Sequence, residues 1–232
     1  MKLIINADDY GYTSGINKGI RQGMINGIIT STTVLSNCSI DQDDIDQLKQ
    51  IKHIGIGLHL NLTLEKPLSH GKSIQDSNGY FYDRKKLDFE KLNLDEVEQE
   101  FRAQINQFIT YFNQNPTHFD SHHSIHDHPK ILPLTHKLMQ EYQIPARRLS
   151  NIPFVGSFFG ENAILSHLME IIRNHQSDSC IEVMTHSGCS DDELRRKSSY
   201  SDLRENELNI LMSQEIQTFI TKKGVELTYY GK

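Results

Sequence analysis

An α/β fold built on a mainly parallel sheet is predicted for this 232-residue chain from three observations. Leu3-Ile4-Ile5 and the glycine-punctuated IGIGLHLNLT of residues 54–63 are apolar runs rather than clean polar alternations, as strands buried on both faces require. Amphipathic stretches with helical spacing lie between such runs. About seven strand-like segments alternate with helices, a rhythm that yields a parallel sheet, either open or closed into a barrel.

The elements follow in order. After Leu3–Ile5, Ser14 precedes a helix through Ile16, Ile20, Met24 and Ile25 that stops at Gly27. TSTTVLSN (30–37) is β-branched and strand-like, and a helix around 41–51 leads into the 54–63 strand. Residues 65–90 break the rhythm with scattered Gly, Pro, Ser and Asn around Tyr80-Phe81-Tyr82, and read as an insertion or lid. Leu94, Val97, Phe101, Ile105, Phe108 and Phe112 then recur at spacings of three and four, an amphipathic helix. THFDSHH follows as a strand, then a helix near 130–143, a short strand near 146–149, a helix near 161–173 and the strand CIEVMT (180–185). Leu203, Leu208, Leu211, Ile216 and Phe219 mark one long C-terminal helix, with Lys222-Lys223-Gly224 as its stop and VELTYY as a last strand. No repeat or linker divides the chain, so residues 1–232 read as a single domain.

Composition excludes several functions. Thirty acidic against twenty-four basic residues give a net charge of −6, without the basic stripe of a nucleic-acid binder. Cys38, Cys180 and Cys189 have no CxxC spacing and read as packing residues in a reducing cytoplasm. MKLIINADD reaches charge too early for a signal segment, and no later run is long enough to span a membrane. The expected location is the cytoplasm, and a homodimer is left open.

In parallel α/β folds functional residues collect at the C-terminal ends of strands. Four strands bring acids or imidazoles to that edge: NADDYG delivers Asp8 and Asp9, the 54–60 strand His59, THFDSHH Asp120 with several histidines, and EVMTHSG His186. Adjacent carboxylates on an extended chain face opposite ways, so one can ligate a metal while the other activates water; helix capping is the structural alternative. Five of the twelve histidines fall between His118 and His128. If 117–123 is extended, His118, Asp120 and His122 share a face, whereas His122 and His126 pair at i,i+4 if the chain has already turned helical. One catalytic ion needs about three protein ligands, so the other histidines are support, substrate wall or surface. His186 at a loop start suits either a proton donor or a core residue that supports the site. Of Arg147 and Arg148, one can pair with a carboxylate of the site.

NADDYG, TSTTVLSN, GLHLNLT, THFDSHHSIH and EVMTHSG, in that order over essentially the whole chain, resemble the YdjC-like carbohydrate deacetylases. The resemblance implies a single irregular, TIM-like (β/α) barrel and metal-dependent removal of acetyl groups from N-acetylated sugars such as chitooligosaccharides. One divalent ion, magnesium or zinc, would be held by Asp9, His59 and His122. It also implies Asp8 as base, His186 as acid and Arg147 facing the base. Ser124 stands where family members usually carry a third consecutive histidine, which leaves His123 as a lesser ligand candidate. Residues 65–90 match poorly apart from the KPL after GLHLNLT. Two alternatives are a metal-dependent phosphoesterase on a similar barrel and a non-enzymatic sugar- or metal-binding protein.

Overall fold

Seven parallel strands form the sheet in the computed structural model, which describes all 232 residues. β1 (Lys2–Tyr10) is central. β2 (Ser31–Val34), β3 (Gly55–Leu60) and β4 (Phe119–Ser121) extend to one side, β6 (Cys180–Thr185) and β5 (Phe154–Val155) to the other. β7 (Glu226–Leu227) pairs with Lys2 and Leu3 at the start of β1. The sheet curves into a half-barrel surrounded by helices, so the barrel expected from the sequence is left unclosed between its edges.

Eight α-helices surround it: α1 (Ser14–Asn26), α2 (Gln42–Gln50), α3 (Leu94–Phe112), α4 (Leu132–Tyr142), α5 (Leu165–Asn174), α6 (Asp192–Lys197), α7 (Asp202–Met212) and α8 (Gln214–Lys222). Thr13 caps α1 by accepting from the Ile16 N–H. α3 buries Val97, Phe101, Ile105, Phe108 and Phe112, the stripe its spacing predicts, while Leu94 in its first turn stays exposed. These residues join one cluster of 46 buried apolar residues. Truncating Phe101 within it to alanine costs about 3–5 kcal/mol.

Three expectations change. The single C-terminal helix is two, because Ser213 leaves the helical conformation and its hydroxyl caps α8 through the Ile216 N–H. The strand near 146–149 shrinks to one bridge, Phe119–Ala146, since Arg148 takes φ +62° and turns the chain away. The helix near 161–173 starts only at Leu165, after a short 3₁₀ turn.

Residues 65–90 are irregular but tied down. Two carboxylates one turn apart on α3 hold them: Glu100 accepts from the Leu68 and Ser69 N–H groups, and Glu96 from Ser73. The glycines of the β3 strand have a specific use. A Cβ on Gly57 would lie 2.5 Å from the His118 ring, and one on Gly55 2.9 Å from the Tyr230 carbonyl. Both positions must lack a side chain for the layer beneath the strand ends to pack as it does.

Candidate active site

Asp8 and Asp9 lie just before the end of β1, where its register with β2 slips between Ala7 and Tyr10. Asp9 has φ +72°, a conformation uncommon for a residue other than glycine. Plain alternation would send the two carboxylates to opposite faces, but with this irregularity both line the same cavity of about 640 Å³. His59, His122, Arg147, His186 and Arg204 line it too. The sequence-predicted residues are thus brought together at one mouth of the half-barrel.

Arg147 organises the floor. Its NH1 and NH2 groups donate to the two Asp8 oxygens, each at 2.7 Å, and its Nε donates to Glu182 Oε1 at 2.8 Å. NH1 also lies 2.9 Å from Asp120 Oδ2. Three carboxylates around one guanidinium outweigh the burial that opposes its charge, and hold Arg147 well above its ordinary pKa. Asn6 adds a third donor to Asp8, from Nδ2 to Oδ1 at 2.9 Å. A carboxylate has about four lone-pair sites, so Asp8 keeps about one for the cavity.

Asp9 and His59 carry donor chemistry that fits a divalent ion, and His122 lines the same cavity. Asp9 Oδ1 is buried without a hydrogen-bond partner. It lies 3.2 Å from His59 Nε2, a separation two ligands of one ion take when each bond is about 2.0–2.2 Å. His59 Nδ1 donates to Asp120 Oδ1 at 2.7 Å, the carboxylate–histidine arrangement that orients a ligating imidazole. His122 rests its Nδ1 on Thr63 Oγ1 at 2.9 Å, which leaves Nε2 free, and burial pushes its pKa down to about 3, keeping it neutral. Burial also opposes charge on His59, yet Asp120, Asp9 and Asp8 prevail and raise it to about 10, so an ion bound at Nε2 would have to displace a proton from it. Asp9 falls well below the carboxylate range, because Arg204 and His59 overcome its burial. The three residues whose potential ligand atoms all lie within 4.8 Å of one another are Asp8, His59 and Asp120. There, however, the carboxylate oxygens already hold Arg147, Asn6, Thr33 and His59. The unsatisfied oxygen belongs to Asp9.

The histidine cluster divides by position. The strand stops at Ser121, and His123 and Ser124 take φ +58° and +55°, so the extended 117–123 segment is cut short. His118 lies under the site, its Nε2 donating to Asn6 Oδ1 at 3.0 Å. His126 turns away to Ser121 and the Arg147 carbonyl, so no i,i+4 pair with His122 faces the cavity. His128 stacks on Phe89, and His123 is an exposed rim residue. His186 is half-buried with Nδ1 unpartnered; burial pushes it down to about 4 against the pull of Asp8 and Asp9.

Several residues escaped the sequence reading. Arg204 of α7 donates to Asp9 Oδ2 at 2.7 Å, and Glu207 of the same helix accepts the His186 N–H at 2.6 Å. Both sit in a segment that reads as an ordinary amphipathic helix. Glu182 had a signal: a charge in the middle of the buried run CIEVMT.

Known proteins resemble the chain over its length. A carbohydrate deacetylase of Clostridium beijerinckii is 33% identical, covering 98% of this chain and 98% of its own. One from Brevibacillus brevis is 32% identical, covering 100% and 99%. A crystal structure from Enterococcus faecalis, described as a candidate cellobiose-phosphate cleavage protein, superposes with a TM-score of 0.92 at 30% identity, over 99% of this chain and 97% of that one. A family 4 carbohydrate esterase from Streptomyces lividans shares the fold, with a TM-score of 0.60 at 11% identity over 97% and 91%. The YdjC-like protein family matches residues 2–222, and with these full-length relatives the chain belongs to that family.

Proposed function

We propose that the protein is a metal-dependent carbohydrate deacetylase that hydrolyses the acetamide of N-acetylated sugars to a free amine and acetate. The observation that carries the reading is the unsatisfied, buried Asp9 Oδ1 facing His59 Nε2, beside an Asp8 clamped by Arg147. Asp9, His59 and His122 would hold the ion, which when bound polarises the acetyl carbonyl and acidifies a water. Asp8 takes a proton from the attacking water on its remaining lone pair, as the water oxygen joins the carbonyl carbon. The C–N bond then breaks with its electron pair going to nitrogen, and His186 protonates the departing amine. That step requires the imidazolium, which burial opposes and the Asp8 and Asp9 charges favour.

The cavity rim carries Arg84, Lys85 and Lys197, offset by Asp83 and by the Glu65 and Glu193 carboxylates paired with Lys197. The experiment is metal analysis of purified protein combined with an acetate-release screen over N-acetylated sugars, free and phosphorylated. Acetate release that depends on bound metal supports the reading. Phosphate release without acetate would replace it with phosphoester hydrolysis, and no turnover of any substrate with metal supplied would leave only a binding protein. No helix is long and apolar enough to cross a membrane.

A further inference from the structure

We infer that Tyr230, in the segment after β7, is a positioning residue for the reaction that fixes the Asp8 carboxylate through two separate routes. The inference rests on the reading of Asp8 as the base. Along the first route the Tyr230 hydroxyl donates to Glu182 Oε2 at 2.7 Å. Glu182 Oε1 accepts from Arg147 Nε at 2.8 Å, and the opposite edge of the same guanidinium grips both Asp8 oxygens. Along the second route the Tyr230 ring stacks on His118, with centroids 3.9 Å apart and planes 13° from parallel. His118 Nε2 donates to Asn6 Oδ1 at 3.0 Å, and Asn6 Nδ2 donates to Asp8 Oδ1 at 2.9 Å. Hydroxyl and ring of one tyrosine thereby reach the same carboxylate from two directions.

The routes are rigid because they are buried. Tyr230 is 2% exposed, Arg147 3%, and Asn6, His118 and Glu182 are fully covered. The sequence clears space for them. Gly55 admits the Tyr230 backbone and Gly57 the His118 ring, where any side chain would collide. The Tyr230 N–H is itself anchored on Ser31 Oγ at 3.3 Å. These contacts also explain two glycines in a β-strand, where glycine is otherwise unfavourable.

The physical consequence follows from the hydrogen-bond ledger. A guanidinium held at its Nε edge by Glu182 presents its other edge in one plane, and Asp8 must lie in that plane. Removing the phenol leaves a buried carboxylate oxygen of Glu182 without a donor. Glu182 then turns or takes a proton, the Nε anchor loosens, and Asp8 rotates its free lone pair away from the water. A displacement of this kind slows the proton transfer and leaves sugar binding largely alone.

The test is Tyr230→Phe, which keeps the ring and deletes only the hydroxyl. Expected are a kcat about tenfold lower, KM within about twofold of wild type, and unchanged metal content, as for other loss of outer support around a metal site. Tyr229→Phe leaves kcat unchanged. Glu182→Gln lowers kcat at least as far, and Y230F added to E182Q lowers it no further, because both act along one route. Wild-type kcat in Y230F, or losses that simply add in the double variant, would overturn the inference. A crystal structure of Y230F supplies a readout independent of turnover: an Asp8–Arg147 fork in its original geometry also overturns it. Absence of acetate release by the wild-type protein, with Asp8 rotated in Y230F, would instead sink the deacetylase reading and leave the positioning role standing.

Discussion

His186→Gln separates proton donation from every other part of the site. The backbone at this position is anchored independently of the side chain, with its N–H on Glu207 at 2.6 Å and its carbonyl 3.4 Å from Arg204 NH1. The ring itself makes edge contacts with Phe159 and Tyr200, at centroid distances of 5.1 and 5.9 Å, and its Nδ1 has no partner. Aromatic contacts of this type are worth about 0.5–1.5 kcal/mol each, so the fold should lose about 1–3 kcal/mol. A general acid contributes about 10²–10⁴ in rate, or about 3–5 kcal/mol of barrier. The assay compares two acetyl donors that differ in leaving group. An N-acetylated sugar must expel an amine, which needs a proton; p-nitrophenyl acetate expels a phenolate, which does not. In H186Q the amide reaction should fall by about 10²–10⁴, with ester hydrolysis within about threefold of wild type. Equal losses on both substrates would refute the acid assignment, since they would mean that His186 serves binding or structure alone. Full amide activity would refute it as well.

The remaining predictions address the other groups. Asp8→Asn should keep its metal, because Asp8 is outside the unsatisfied donor set, and lose at least about 10² in kcat; near-normal turnover would remove Asp8 as base. Asp9→Asn should abolish metal retention, whereas Asp120→Asn, which acts through His59, should weaken it by about 10–100-fold; the reverse order by metal titration would move the ion to the Asp8–His59–Asp120 group. Adding metal at about 100 times its Kd should stabilise the metal-free protein by about 2.7 kcal/mol, visible as a raised thermal midpoint that chelator reverses. Burial raises Glu207 from 4.5 to about 7, so the folded state holds this proton more tightly than the unfolded chain, and stability from this group is full below about pH 4.5 and lost as pH rises through 7. At 1.36 kcal/mol per unit, Glu207→Gln should gain up to about 3 kcal/mol on wild type between pH 4.5 and 8 in denaturant titrations; a constant difference across that range would contradict it.

What was legible in the sequence, and what was not, follows from which elements carry the site. Residues at strand ends announce themselves, because a charge or imidazole interrupts an apolar run: Asp8, Asp9, His59 and His186 all stand out this way. The irregularity that turns Asp9 inward does not, since DD after a strand is equally compatible with regular alternation. Arg147 and Arg148 are neighbours of one type, and only the turn at Arg148 sends one into the floor and the other to Asp127 on the surface. Polar residues on a helix carry still less information, because a solvent-facing stripe holds them as a matter of course. Arg204 and Glu207 were therefore invisible, although they hold a candidate metal ligand and the backbone of the candidate acid. Their placement resolves the chemical problem that two adjacent buried carboxylates create. Each receives its own guanidinium, Asp8 from Arg147 and Asp9 from Arg204. Arg147 occupies both oxygens of Asp8, and Arg204 occupies only one of Asp9, leaving the other without a partner. In the proposed mechanism that asymmetry assigns different work to two chemically identical side chains, proton transfer to the doubly held Asp8 and ion binding to the Asp9 oxygen left open.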